Sequence, residues 1–183
     1  MTDVHSAQTR MEKAIAALKD EFKGIRTGRA SASLLDKIKV EYYGEKTPLS
    51  QVATVSVPEA RMLVVQPFDK AVIGEIEKEI QKSELGLNPS NDGKVIRIAI
   101  PPLTAERRKE LSKQAKQLAE NSKVAVRNIR RDANEDLKKA QKSGSITEDE
   151  LKAKETELQK STDKFIQEID KVFADKEKEI MES

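Results

Sequence analysis

Apolar side chains return every seven positions along the first flank of the chain, at Val4, Met11, Leu18 and Ile25, with Ile15 and Phe22 beside them. That spacing is one face of a helix packed in a bundle. Two more segments repeat it. After Thr104, which can cap a helix, the expected buried side reads Leu111, Ala115, Leu118, Ser122, Ala125 and Ile129. After Gly144, Thr147 and Glu150 form a capping-box pair that opens a further helix. Its apolar row runs through Leu151, Leu158, Phe165, Ile169 and Val172. Helices of 35–40 residues would be about 55 Å long, and three of them suit an elongated antiparallel bundle.

The central block follows a different period. Ile38, Val40 and Tyr42 alternate with Lys39, Glu41 and Tyr43, which predicts a half-buried strand ending at Gly44. Further strands are predicted at residues 53–57, 62–66 and 94–100. Between the last two, Asp69 can cap a short helix with Ile73, Ile76 and Ile80 on one face and Gly86 after its end. All six prolines fall in this block, at Pro48, Pro58, Pro67, Pro89, Pro101 and Pro102, and none in the flanks. Since proline breaks helices, the flanks can carry long ones. The expected fold is α+β: a three-helix bundle from 1–29 and 104–183, with a small domain of sheet plus one helix inserted at 31–102. The two crossings, at 27–31 and 101–104, place Gly28 and Arg29 beside Pro101 and Pro102 as a two-strand hinge.

Charge alters this picture of plain scaffolding. The net formal charge is only +2, yet residues 104–143 hold twelve Lys and Arg against six Asp and Glu, and residues 144–183 hold seven against twelve. On the second long helix, Lys109, Lys113, Lys116, Glu120, Lys123, Arg127 and Arg130 recur at alternating steps of four and three, with Arg131 alongside. The apolar row starts two positions after Lys109, at Leu111, which at about 100° per residue puts it on nearly the opposite side. A cationic line of this kind can lie along phosphates while its helix stays packed. The same line also fits a solvated face whose lysines pair with acids of the third helix. Arginines gather at its distal end, where forked donors suit phosphate better than solvent alone requires.

Enzyme chemistry finds little support. There is no Cys, and the single histidine, His5, lies near the terminus. Gly86 to Gly93-Lys94 lacks the spacing and the hydroxyl of a phosphate loop, and Leu137 stands where a calcium loop opened by Asp132, Asn134 and Asp136 needs glycine. No catalytic residue, metal or cofactor is expected. No apolar run approaches the roughly 20 residues of a membrane span, and residues 1–30 lack a signal-peptide layout, so a cytoplasmic location is expected.

Five segments, in order, carry a resemblance. They are Ile25-Arg26-Thr27-Gly28-Arg29-Ala30, Val40-Glu41-Tyr42-Tyr43-Gly44, Leu85-Gly86-Leu87-Asn88-Pro89, Pro101-Pro102-Leu103-Thr104 with Glu106-Arg107-Arg108, and Val126 through Asn134 (VRNIRRDAN). Together they resemble the bacterial ribosome recycling factor family over essentially the whole chain. The resemblance implies an L-shaped molecule that acts after termination. With elongation factor G and GTP, it would split the ribosome and release messenger RNA and deacylated transfer RNA. The bundle would lie on large-subunit ribosomal RNA, with Arg108, Arg127, Arg130 and Arg131 as contacts. The stripe adds Lys109, Lys113, Lys116 and Lys123, and the chain is expected to work as a monomer. The competing reading is a coiled-coil adaptor with protein partners only, whose binding would not weaken with salt as a phosphate contact does.

Overall fold

The computed structural model describes residues 3–182. Asp3 starts the first helix by accepting a hydrogen bond from the Ser6 amide at 2.7 Å, and α1 runs Val4–Lys23. Its buried face is Val4, Ala7, Met11, Ile15, Leu18 and Phe22, and Ile25 just past its end is buried too. At 20 residues, α1 is shorter than the 35–40 expected of all three helices, whereas α4 (Ala105–Lys142, 38 residues) and α5 (Glu148–Glu182, 35 residues) reach that length. Each of the three packs on the other two. Ser112 meets Glu177 and Arg130 meets Gln159, so numbers rise along α4 as they fall along α5, and the pair is antiparallel.

The α4–α5 turn follows from local chemistry. Gly144 adopts φ +80, the Gly144 amide donates to Gln141 O at 3.1 Å, and the Ser145 amide donates to Ala140 O at 2.8 Å. These two hydrogen bonds, with the left-handed glycine between them, satisfy two of the last carbonyls of α4. Thr147 Oγ1 then accepts from the Glu150 amide at 3.1 Å and opens α5. A Cβ at Gly144 would meet nothing within 4 Å, so the cost of one is backbone strain alone. Gly144→Ala should therefore lower stability by about 1 kcal/mol, read as a drop in the bundle's thermal midpoint with secondary structure unchanged.

Residues Thr27–Thr104 form the second compact unit, the first running up to Arg26 and resuming over Ala105–Glu182. In chain order the second unit holds β1 (Lys39–Tyr42), β2 (Glu45–Pro48), α2 (Leu49–Val52), β3 (Ala53–Glu59), β4 (Met62–Pro67), α3 (Ile73–Lys82), β5 (Pro89–Asn91) and β6 (Ile96–Ala99). Strands β3-β4-β6-β5 make an antiparallel sheet, and β1-β2 make a separate hairpin. Leu63, Val65, Ile96 and Ile98 from the sheet, Val40 from the hairpin, and Ile76 and Ile80 from α3 are fully buried in one core.

Several expectations shift here. The strand expected over 94–100 shortens to Ile96–Ala99, because Asp92 Oδ1 takes the Lys94 and Val95 amides at 2.9 Å each and holds them in a turn. Those two amides, with Arg97 on the other oxygen, keep the Asp92 carboxyl below the usual aspartate range. Asp69 does act as a cap, on the Ala71 amide at 2.9 Å, but of a short 3-10 turn (Lys70–Val72) ahead of α3. Strands β2 and β5 and the one-turn helix α2 were not expected at all. Tyr43 (φ 49) and Gly44 (φ 82) make the two-residue turn between β1 and β2, the right-twisting geometry such hairpins favour.

Both ends of this unit are tied to one place. The Ala30 amide donates to Ala60 O at 2.7 Å and the Ile100 amide to Arg61 O at 2.8 Å, so incoming and outgoing chain bond to adjacent residues of the β3–β4 turn. Pro101 and Pro102 carry no amide hydrogen and cannot extend that pairing.

Candidate nucleic-acid interface

The basic line on α4 is real, but its relation to the core differs from the expected one. The buried side of α4 is Leu111, Ala115, Ala119, Ser122, Val126, Ile129, Ala133 and Leu137. Leu118 and Ala125, expected in that seam, are half-buried, and Ala119 and Val126 take their places. At about 100° per residue the change rotates the seam by about 40° toward the basic line. The cations therefore flank the seam on its α5 side instead of standing opposite it. Lys109, Lys113, Lys116 and Arg131 are exposed, whereas Lys123, Arg127 and Arg130 are half-buried.

That flank divides into two electrostatic halves. In the proximal half, Lys109, Lys113 and Lys116 line a groove together with Glu106, Glu110 and Glu177. Lys123, its side chain only 16% exposed, ends this half in an ion pair with Asp170 of α5 at 2.5 Å and with Glu120 at 3.5 Å. The bond to Asp170 raises the Lys123 amine above the ordinary lysine value. For Lys123 the pairing with a third-helix acid is the better description, and it is not available to phosphate in this arrangement. Lys109, Lys113 and Lys116 share their groove with glutamates but are in none of the ion pairs among the described residues.

The distal half is different. Among the described residues, none of the ion pairs includes Arg127, Arg130 or Arg131. Arg130 Nη1 donates to the neutral Gln159 Oε1 at 3.3 Å, and Arg131 Nη1 donates to Asn128 Oδ1 at 3.4 Å. Both guanidiniums are steadied by amide oxygens that leave the positive charge whole. Fixed forks with uncommitted charge are what bidentate phosphate recognition requires. Lys138 and Lys142, exposed further along α4, continue this side toward the Gly144 turn and were not among the expected contacts.

Arg108 is placed elsewhere. Counted around the helix it falls in the direction of the seam, it is half-buried, and its Nη1 donates to the Met181 carbonyl at 3.2 Å. A cation on a carbonyl of the last turn of α5 satisfies an otherwise open acceptor at the negative end of that helix. Its position is therefore that of a helix cap and not the edge of the stripe. Of the expected hinge residues, Arg29, Pro101 and Pro102 are exposed and Gly28 is buried, all at the ends of the second unit.

Among the described residues, no group of three or more His, Cys, Asp or Glu could hold a metal ion, and no helix is long and apolar enough to cross a membrane. His5 is an exposed residue of the first turn of α1. Asp132 of the dismissed calcium loop is helical and pairs with Arg10 at 3.7 Å.

The ribosome recycling factor family model matches residues 18–181. The ribosome-recycling factor of Bacillus subtilis (strain 168) is 62% identical over 173 residues, covering 94% of each chain. A solution structure of a ribosome recycling factor superimposes with a TM-score of 0.73 at 46% identity, covering 98% of this chain and 96% of the other. A second structure, at 49% identity and a TM-score of 0.60, covers 96% of this chain and 95% of its own. It belongs to models of the T. thermophilus ribosome recycling factor and the E. coli elongation factor G bound to the E. coli post-termination complex. Family match, identity and shared fold extend over nearly the full length, and the chain belongs to the ribosome recycling factor family.

Proposed function

We propose that this chain binds the post-termination ribosome and, with elongation factor G and GTP, drives its dissociation into subunits with release of messenger RNA and deacylated transfer RNA. The observation that carries the reading at residue level is the distal half of α4, where Arg127, Arg130 and Arg131 keep their charge beyond the acid-paired Lys123. These arginines contact the phosphate backbone of large-subunit ribosomal RNA. Lys109, Lys113 and Lys116 add diffuse attraction, lowered by the glutamates of their groove. The chain works as a monomer in the cytoplasm.

The second unit takes the push of the GTPase by swinging on its two tethers. Its own β3–β4 turn holds Ala30 and Ile100 at adjacent carbonyls, which makes the crossings at 27–31 and 101–104 the ends about which the unit would swing. Hinges usually sit at such element ends.

The direct test is breakdown of polysomes with and without this protein, elongation factor G and GTP. Subunits should accumulate only when all three are present. The protein contributes position and leverage, not chemistry. Purified alone, it should show no saturable GTP binding by calorimetry and no phosphate release, and stoichiometric binding would overturn the non-enzymatic reading.

A further inference from the structure

The α4–α5 register assigns Arg130 a carboxylate partner that it does not use. Lys123 pairs with Asp170. Seven residues further along α4 stands Arg130, and seven residues back along α5 stands Asp163. In an antiparallel pair the two occupy the positions equivalent to Lys123 and Asp170, one turn from the Gln159 that Arg130 touches. Asp163 instead accepts a hydrogen bond from Gln159 Nε2 at 2.9 Å, and Gln159 turns its Oε1 to Arg130 Nη1 at 3.3 Å. A neutral amide stands between the acid and the arginine.

We infer that Gln159 is a positioning residue for the ribosomal RNA contact: it diverts Asp163 from Arg130 and holds the guanidinium in place with its charge uncommitted. A direct Arg130–Asp163 pair would neutralise the arginine, and a phosphate would then have to displace a carboxylate before binding. Through Gln159 the acid steadies the fork at one remove. The single helix flank thus contains both outcomes one heptad apart, a lysine committed to structure and an arginine kept for a ligand.

This inference rests on the reading of Arg130 as an RNA contact, and the experiment separates the two. Ribosome binding is measured over a salt series for the full-length protein and for Arg130→Glu, Gln159→Ala, Asp163→Asn and the Gln159→Ala/Asp163→Asn pair. Gln159 and Asp163 are exposed on the helix, and thermal melts establish that each variant is folded. Gln159→Ala should weaken binding about threefold and flatten the log–log salt slope by about one unit, the loss of one phosphate contact. Asp163→Asn alone should bind like the parent, and adding it to Gln159→Ala should restore both affinity and slope, because no acid remains to capture Arg130. Parent-like binding by Gln159→Ala overturns the inference, as does a defect that Asp163→Asn fails to rescue. Should Arg130→Glu itself bind normally, the RNA-contact reading falls and the inference with it.

Discussion

Arg127→Glu combined with Arg130→Glu should lower ribosome affinity by about two orders of magnitude while leaving the protein folded, since two phosphate contacts become two repulsions. The structure refines what else to expect. Both side chains are half-buried, so their alkyl stems cover part of the α4–α5 seam, and a modest fall in thermal midpoint should accompany the binding defect. The salt slope separates these effects, because a packing loss shifts the melt but not the slope. The matched reversal of Lys109 and Lys113, whose groove already holds Glu106, Glu110 and Glu177, should cost much less affinity. Equal losses from the two pairs would mean that the whole stripe acts as a diffuse field and that the arginines have no separate role.

Stiffening one tether should slow recycling and spare binding. Gly28→Pro fixes a backbone angle in the incoming crossing, and proline also restricts Thr27 before it. The outgoing crossing is already stiffened by Pro101 and Pro102, so the variant places proline in both crossings. Ribosome affinity should stay within about twofold of the parent, because the cations proposed to bind RNA lie on α4. Subunit splitting with elongation factor G and GTP should slow at least about tenfold if the swing is required. Splitting at the parental rate by a folded Gly28→Pro protein would show that bending at this crossing is dispensable.

The long elements were legible because their periodicity is strong: every apolar position expected on α1 is buried, and the Gly144 turn and the Thr147 cap sit where their residues indicate. The rotation of the α4 seam was not. From Ala115 the row can continue to Leu118 or Ala119, and side-chain hydrophobicity favours leucine. Alanine is nevertheless the buried residue, since a small side chain allows close helix approach and the larger one fits beside the seam. Val126 is more apolar than Ala125 and could have been preferred, but a strict alternation of threes and fours concealed it. The strands β2 and β5 have no apolar alternation and end or begin in proline, so only their partners define them. At the candidate interface, the line of cations could be read directly, whereas the commitment of Lys123 to an acid and the neutral partner of Arg130 could not. Both depend on which residue of α5 faces which residue of α4, a register set by packing between helices and invisible in either helix alone.

The bonding of Ala30 and Ile100 to neighbouring carbonyls also bears on the order in which the chain can fold. Helices α4 and α5 are joined by a tight turn and can pair as a local hairpin, but α1 must dock on them across an insertion of 78 residues. With the insertion unfolded, that closure spans a long flexible loop. With the second unit formed, its two ends leave from one hairpin turn, and the flexible path shrinks to roughly ten residues. Loop-closure entropy grows with the logarithm of length, so prior folding of the insertion should lower the cost of docking α1 by about 2 kcal/mol. The small unit is then a covalent clip that brings the first helix back to the other two, and weakening its sheet should slow assembly of a bundle that it helps to build.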